Sequence, residues 1–261
     1  MNDLHIVAIA NQKGGVGKTT TAINLGAALA LMGHPTILID LDAQGNASTG
    51  LGISHDLRTK TTFDLLVGDE TLDDVVIPTG IPDLRIVPAT SDLSSAEIEL
   101  SQLTDRLRVL RNKLKPSQQG GIILIDCPPA LGLLTVNAMV AADSVLVPLQ
   151  TEFLALEGLS QLLSTVQQVR QSANSALRVN GVLLTMADGR TTLSQQVEAD
   201  ARSTLGDLVY PTVIPRNVRV SEAPSHAQPV LSYDPSSKGS LAYQQFAAEF
   251  AARLKLVSEV A

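Results

Sequence analysis

The chain has 261 residues, a formal net charge of −7 and 44% hydrophobic residues, which is the composition of a globular protein with an aliphatic core. Its single cysteine, Cys127, excludes an intramolecular disulfide and a cysteine-cluster metal site within one chain. No segment is typical of a signal peptide or long and apolar enough to span a bilayer, so we expect a cytoplasmic protein without a membrane partner.

The charge is distributed unevenly along the chain. Residues 1–100 carry 5 basic and 13 acidic side chains, whereas residues 101–261 carry 14 basic and 13 acidic ones. The acidic first part argues against a broad nucleic-acid footprint, but it leaves room for a local basic patch in the second part.

The first predicted unit is a strand, a glycine-rich loop and a helix. The apolar run 4–10 predicts a buried strand, and apolar residues of 20–32 recur at steps of three and four, which predicts an amphipathic helix. Backbone N–H groups of such a loop, at a helix N-terminus, are suited to hold phosphates. The residues predicted to bind the nucleotide here are Gly14, Gly15, Val16, Gly17, Lys18, Thr19 and Thr20.

Within this loop the phosphate-binding pattern G-x-x-x-x-G-K-[ST] assigns roles to two side chains. Lys18 is predicted to reach the β- and γ-phosphates, and the Thr19 hydroxyl to bind magnesium. The loop departs from the pattern at its first position, where Gln12 replaces glycine and an additional lysine, Lys13, follows.

Two later strands are predicted to end in carboxylates. A buried strand over 35–39 is followed by Asp40 and Asp42, and the strand 121–126 ends in Asp126, in the pattern of a Walker B strand. Because ligands bind at the carboxyl ends of parallel strands in open α/β sheets, we expect these side chains to face the phosphate loop.

The segment between these two strands is predicted to contain a switch. Residues 43–60 are predicted as a loop with a short helix, which faces the phosphate site and is a candidate to change conformation.

Ser94 and Glu97 have the spacing of a capping box, which predicts one long helix from Ser94 to about Leu114. A helix over 61–67 and a strand over 84–88 complete this part.

The rest of the chain alternates in the same way. Helices are predicted over 133–141, 156–171, 194–205 and 239–256, and strands over 144–148, 179–185 and 209–214. Residues 216–238 form a long irregular stretch, which is unusual in a compact domain and suggests function. The alternation predicts one α/β domain over residues 1–261, with a doubly wound, mostly parallel sheet flanked by helices.

Six motifs together resemble one known family. They are KGGVGKTT (13–20), DLDAQGN (40–46), IDCPP (125–129), TEFLALEG (151–158), LLTMADGRT (183–191) and IPRNVRVSEAPSHAQPV (214–230). They are similar to the ParA/Soj branch of the deviant Walker A ATPases, a P-loop NTPase family that includes MinD. The resemblance covers nearly the whole chain and is to a short form, without the N-terminal helix-turn-helix extension of larger plasmid relatives.

The resemblance implies a weak, magnesium-dependent ATPase that binds ATP or ADP and forms a sandwich homodimer with ATP. Lys13 would cross to the phosphates of the partner's ATP, and a cation supplied in this way can raise the rate by ~10³–10⁵. Asp42 would orient the attacking water and contact magnesium through water. Asp126 would hold the water shell of the magnesium. Asp40 would assist indirectly, through contacts to these groups and not to the magnesium itself.

The resemblance also implies the sites for adenine and for DNA. Pro215 and Asn217 match positions that contact adenine, and Arg190 and Arg219 match arginines that bind double-stranded DNA without sequence specificity. Arg216 is adjacent to both sets. The implied function is ATP-dependent segregation of a chromosome or plasmid on the nucleoid, with hydrolysis stimulated by a ParB-type centromere-binding protein.

Other members of the wider family are alternatives. A MinD-like ATPase would bind membranes through a C-terminal amphipathic helix, but the polar face of 246–261 lacks the basic excess of such anchors. That face carries Glu249, Arg253, Lys255 and Glu259. Iron–sulfur carriers need bridging cysteines, usually two in each chain, and this chain has only one. Tyrosine autokinases need a tyrosine cluster, which the three tyrosines of this chain do not form in its tail. A metabolic P-loop kinase would need a second pocket and a lid, for which the sequence shows no segment.

Overall fold

The computed structural model describes residues 4–114, 121–152 and 155–256, and in them seven strands form one sheet. In chain order the strands are β1 Leu4–Ile9, β2 Thr36–Asp40, β3 Ile77–Pro78, β4 Leu84–Val87, β5 Gly121–Asp126, β6 Ser144–Gln150 and β7 Arg178–Thr185. Their spatial order is β3-β4-β2-β5-β1-β6-β7, and all neighbours are parallel except β3 and β4. The predicted doubly wound, mostly parallel sheet is confirmed.

Helices cover both faces of this sheet. In the described ranges they are α1 Lys18–Leu31, α2 Asn46–Gly50, α3 Thr62–Val67, α4 Leu72–Val75, α5 Leu93–Ser101, α6 Val109–Leu114, α7 Leu133–Ala141, α8 Ala155–Ser172, α9 Thr192–Leu205, α10 Val218–Glu222, α11 Val230–Tyr233 and α12 Lys238–Leu254. None of them has the length and apolar character that a bilayer span requires. Most of the elements predicted from the sequence begin and end within two residues of these bounds.

The register of the central strands brings their carboxyl ends to one edge. Asp126, the last residue of β5, is paired with Ile9 of β1 on one side and with Asp40 of β2 on the other. The phosphate loop follows β1 directly, so the loop and both carboxylates lie at the same edge of the sheet.

Each central strand contributes to a core on both faces. Ile37 and Ile39 belong to the apolar cluster that includes α7 and α8, whereas Leu38 belongs to the cluster that includes α1 and α12. Aliphatic side chains dominate both clusters, as the low aromatic content of 3% predicts.

Helix α1 is buried around its whole circumference, so the predicted amphipathic face is wrong. Every residue of 21–30 is buried, because α1 lies between the sheet and α12. Met32, which the pattern places on the inward face, is 38% exposed. Gly26 permits the close approach to the sheet, since a Cβ there would lie 3.3 Å from Cδ1 of Leu84.

The single long helix predicted over 94–114 is also wrong, because the chain breaks into α5 and α6. The predicted capping box does not form. The carboxylate of Glu97 instead accepts a hydrogen bond of 3.2 Å from the N–H of Leu134, at the start of α7. The free N–H groups of a neighbouring helix therefore outcompete those of α5 for this acceptor.

The predicted strand over 209–214 does not form either. The segment beside β7 makes only isolated bridges, from Val209 to Val182 and from Pro215 to Ala187. Pro211 and Pro215 have no N–H to donate, which prevents a continuous ladder. The stretch 216–238, predicted as irregular, contains α10, α11 and the start of α12. The sequence also did not predict α4 and β3.

The largest expected effect on stability concerns Phe246 of α12, which is fully buried and makes an edge-to-face contact with Tyr210 at 4.8 Å. Phe246→Ala should lower the free energy of unfolding by about 3–5 kcal/mol because it leaves a cavity. Urea denaturation measures this loss. Leu241→Ala in the same helix, at a side chain that is 55% exposed, should change stability by no more than about 0.5 kcal/mol. Equal losses for the two variants would contradict the assigned packing of α12.

Candidate nucleotide-binding site

The phosphate loop has the backbone geometry that a cradle requires. Gly15 and Gly17 have φ angles of 75° and 87°, in the left-handed region that other residues rarely adopt. Gly17 directly precedes Lys18, the first residue of α1. The N–H groups at this helix start have no partner within the helix, so they are free to bind an anion.

Lys18 lies inside this cradle and is only 6% exposed. Its Nζ donates a hydrogen bond of 3.1 Å to the backbone carbonyl of Lys13. Burial lowers the pKa of Lys18, and the negative charges of Asp126 and Asp42 act in the opposite direction. The structure thus brings together a lysine and two carboxylates that the sequence analysis assigned to one site.

Asp126 fits a magnesium site on the evidence of its surroundings. It is fully buried, and neither carboxylate oxygen has a hydrogen-bond partner among the described residues. Burial, and then the charge of Asp40, raise the pKa of Asp126 well above its usual range, while the nearby hydroxyl of Thr19 and the charge of Lys18 counteract the rise. An unpartnered buried carboxylate is costly, and a hydrated cation beside it would remove that cost.

The described part of the chain does not by itself supply a complete metal site. Among the described residues, no group of three or more His, Cys, Asp or Glu side chains is placed to hold a metal ion. A magnesium ion beside Asp126 and Thr19 would therefore take its remaining ligands from water and phosphate oxygens, which is the usual arrangement in nucleotide sites.

Asp40 and Asp42 occupy different environments. Asp40 is fully buried, and its carboxylate accepts hydrogen bonds from the N–H and hydroxyl of Ser48 at 2.9 and 2.7 Å and from the N–H of Asp42 at 3.3 Å. Asp42 is half-buried and accepts one bond, of 3.0 Å, from the N–H of Gln44. The Asp40 carboxylate is therefore engaged by hydrogen bonds from within the chain, whereas the Asp42 carboxylate can still accept a hydrogen bond from a water or ligand.

The Lys13 side chain is paired with a carboxylate outside the phosphate loop. Its ammonium group forms an ion pair with Glu152, and its side chain is 42% exposed. Asn11 holds the backbone, because its amide donates to the carbonyl of Pro148 at 2.8 Å while its Oδ1 accepts from the Lys13 N–H at 3.0 Å. Sequence reasoning missed Glu152 and Asn11, although both lie within or beside the quoted motifs.

A cavity of about 110 Å³ opens beside the phosphate loop. Among its lining residues are Gly17, Thr20, Pro215, Arg216 and Asn217, which the sequence analysis named, and Thr185, Met186 and Tyr243, which it missed. The cavity therefore joins the predicted adenine residues to the phosphate loop. The sequence contains a signal for Thr185, because it is the last residue of a predicted strand. It contains none for Tyr243, whose position in the apolar pattern of α12 predicts only a core residue.

The segments that carry the three predicted DNA-binding arginines meet at the carboxyl end of β7. The N–H of Arg216 donates to the carbonyl of Ala187 at 2.9 Å, which joins the segments that carry Arg190 and Arg219. Arg216 also lines the cavity, so it lies between the two sites.

Carboxylates of the same chain pair with two of these arginines. Arg190 donates to both oxygens of Asp188 at 2.9 and 2.8 Å, and lowers the pKa of that carboxyl to about 2. Arg219 pairs with Glu222 at 3.0 Å and with Asp234 at 3.3 Å. Any DNA phosphate at these arginines must therefore compete with an internal acceptor.

Comparison with known proteins agrees with this geometry. A family model described as an AAA domain matches residues 4–179. The chain is 55% identical over 255 residues to the chromosome partitioning protein ParA of Caulobacter vibrioides, covering 97% of this chain and 96% of the relative. It is 51% identical over 248 residues to the sporulation initiation inhibitor protein Soj of Bacillus subtilis, covering 95% and 98%.

A solved structure shares the whole fold. The cobyrinic acid a,c-diamide synthase of Mycobacterium smegmatis with bound ADP and magnesium superposes with a TM-score of 0.83 at 36% identity, covering 98% of this chain and 96% of the other. Its name designates another activity, but its identity to this chain is well below that of the ParA and Soj relatives. The ParA and Soj relatives are identical to this chain at half or more of the aligned residues, over nearly their full length. This chain therefore belongs to the ParA/Soj family of chromosome-partitioning proteins.

Proposed function

We propose that this protein is a magnesium-dependent ATPase that moves DNA. It binds ATP, dimerises, holds nucleoid DNA without sequence specificity, and is released when a ParB-type partner stimulates hydrolysis. The observation that carries the proposal is the meeting of Lys18, Asp42 and the unpartnered carboxylate of Asp126 at one edge of the sheet. The similar structure with ADP and magnesium supports the choice of nucleotide and metal.

The residues of one chain would bind and orient the nucleotide. Lys18 would exchange the carbonyl of Lys13 for phosphate oxygens, and Thr19 and Asp126 would hold the magnesium ion between them. When bound, that ion neutralises negative charge on the phosphates. Asp42 would accept a hydrogen bond from the attacking water and so align it with the γ-phosphate.

Lys13 would act on the nucleotide of a second chain. To do so it must leave Glu152, and an exposed ion pair of this kind contributes only about 0–1 kcal/mol. The phosphates of a partner's ATP carry more negative charge than one carboxylate, so they can compete for the lysine. Hydrolysis would then require a dimer, since only a dimer completes the site.

Dimerisation would also create the DNA-binding surface. One chain presents Arg190, Arg216 and Arg219, and two of these are partly neutralised by carboxylates. Because DNA affinity rises steeply with the number of phosphate contacts, two copies of the patch would bind where one does not. Binding should therefore need ATP and weaken strongly with salt.

The test is retention of the protein on random-sequence duplex DNA, with and without ATP, at two salt concentrations. Arg219→Ala should weaken ATP-dependent retention and lower the slope of log affinity against log salt by about one unit for each copy, while ATP hydrolysis stays near normal. Arg108→Ala is a matched control, because Arg108 is also exposed and pairs with an acid three residues away, Asp105 at 3.3 Å. Equal retention of the nucleotide-free and ATP-bound proteins would contradict the proposal.

Membrane attachment of the MinD type has less support. The apolar residues of α12, among them Phe246, Phe250 and Leu254, are buried in the core formed with α1, so they are not available to a bilayer. Glu259, part of the predicted polar face, lies outside the described residues. Co-flotation with liposomes in ATP would favour the MinD-like alternative.

A further inference from the structure

Arg58, which follows α2, is a buried arginine that the mechanism above does not use. It is 8% exposed, and it donates to the carbonyl of Ile53 from Nε at 3.1 Å and from Nη2 at 2.7 Å. Nη2 also donates to the hydroxyl of Thr49 at 2.8 Å, and Nη1 donates to the carbonyl of Ala89 at 3.0 Å. None of these acceptors is a carboxylate, so within residues 4–114, 121–152 and 155–256 the buried charge has no direct ion pair.

The guanidinium group packs directly against the turn that carries Asp42. In this turn the N–H of Gly45 donates to the carbonyl of Asp42 at 2.9 Å, and Gly45 has a φ of 61°. A Cβ at Gly45 would lie 2.6 Å from Nη1 of Arg58 and 2.9 Å from the carbonyl oxygen of Ala89. Glycine is needed there both for the backbone conformation and for the approach of the arginine.

The opposite side of the same loop is held by Asp40. Its carboxylate accepts from the N–H of Asp42 and from the N–H and hydroxyl of Ser48. The hydroxyl of Ser48 in turn accepts a bond of 3.0 Å from the N–H of Ala89, the residue whose carbonyl binds Arg58. Arg58, Ala89, Ser48 and Asp40 are thus linked by a continuous series of hydrogen bonds beside residues 42–48.

We propose that Arg58 is a positioning residue for Asp42, which it keeps in place for hydrolysis by holding the turn 42–45 against the end of β4. The proposal rests on the proposed ATPase function and names a residue that determines the rate of that same site. A displacement of about 1 Å in an aligning group can cost about a hundredfold in rate, so a rigid support behind Asp42 has a direct kinetic consequence.

The test replaces Arg58 with methionine, which keeps an unbranched side chain as far as the position of Nε and removes all the hydrogen-bond donors. At saturating ATP and magnesium, Arg58→Met should slow single-turnover hydrolysis by ~10–100-fold, while the affinity for a fluorescent ATP analogue changes by no more than about threefold. Arg58→Lys keeps the positive charge but has fewer hydrogen-bond donors, so it should retain part of the hydrolysis rate that Arg58→Met loses. Added to Asp42→Ala, Arg58→Met should cause no further loss, because its effect passes through Asp42.

Arg253→Met is the matched control. Arg253 also holds backbone carbonyls, those of Asn180 at 2.8 Å and Asp207 at 3.0 Å, but beside β7 at the far edge of the sheet. It should lower the thermal midpoint about as much as Arg58→Met does, without the selective loss of hydrolysis. The proposal is overturned if Arg253→Met slows hydrolysis equally, or if Arg58→Met weakens ATP binding as much as it slows hydrolysis.

A second measurement does not depend on hydrolysis. In the nucleotide-free protein, Arg58→Met should raise the rate of amide hydrogen exchange in a peptide covering 42–50 by about tenfold. The exchange rate in a peptide covering the phosphate loop should not change. Unchanged exchange in 42–50 would overturn the proposal even if the rate fell. A wild-type protein without ATPase activity would contradict the proposed function instead, and the exchange measurement would still decide whether Arg58 holds this turn.

Discussion

Replacing Lys13 with alanine is expected to lower ATP hydrolysis by ~10³-fold or more, while a single chain still binds ATP. The reason is geometric, because Lys18 lies inside the chain's own phosphate loop, whereas the ammonium group of Lys13 pairs with Glu152 outside it. Steady-state hydrolysis and the affinity for a fluorescent ATP analogue measure the two quantities separately. Lys60→Ala, at another exposed lysine with a carboxylate partner, Glu70 at 3.9 Å, should leave both near normal.

Mixing two inactive variants makes this prediction sharper. In a mixed dimer of Lys13→Ala and Asp42→Ala chains, the first chain keeps its own Asp42 and receives Lys13 from its partner, so one of the two sites is complete. Random mixing should therefore restore about a quarter of the wild-type rate. If Lys13 acted on its own nucleotide, the mixture would stay inactive. Full turnover by Lys13→Ala alone would contradict any catalytic role.

Replacing Asp42 with alanine is expected to trap an ATP-bound dimer. Asp42 is the half-buried carboxylate of the site that keeps free acceptor capacity, so its removal should slow hydrolysis by ~10²–10⁴-fold without removing the phosphate cradle. Size-exclusion chromatography in ATP and magnesium should then show a long-lived dimer, whereas the wild type returns to smaller species as it hydrolyses ATP.

The control for this experiment is Asp69→Ala, at an exposed aspartate in the acidic first part of the chain. It should behave like the wild type in both assays. If Asp42→Ala failed to bind ATP, Asp42 would be a metal ligand or a residue needed for folding. In that case its assignment as the group that aligns water would be wrong.

Features with a local cause were predicted correctly. The strand before the phosphate loop is a short apolar run, and the loop itself needs glycines with positive φ angles at Gly15 and Gly17. The strand that ends in Asp126 is likewise a continuous apolar segment. Such patterns depend on neighbours a few residues away, so they can be read along the chain.

Features that depend on distant competition were not predicted correctly. Glu97 has the spacing to cap its own helix, but it binds the start of α7 instead, and the expected long helix breaks in two. Helix α1 loses its expected polar side because α12, from the far end of the chain, covers it. Periodicity records how apolar residues are spaced, and it does not record which second surface will cover them.

By itself, the sequence determined the phosphate loop, the order of strands and helices around it and the carboxylates at the strand ends, since each follows from a short local pattern. Only the tertiary structure decided that Lys13 pairs with Glu152, that Arg219 is held by two acids, and that Arg58 supports the turn of Asp42. Apart from the pair of Arg219 with Glu222, three residues along the chain, those contacts join different segments, and their geometry is set by how the elements pack together. Spacing along the sequence contains no record of that packing.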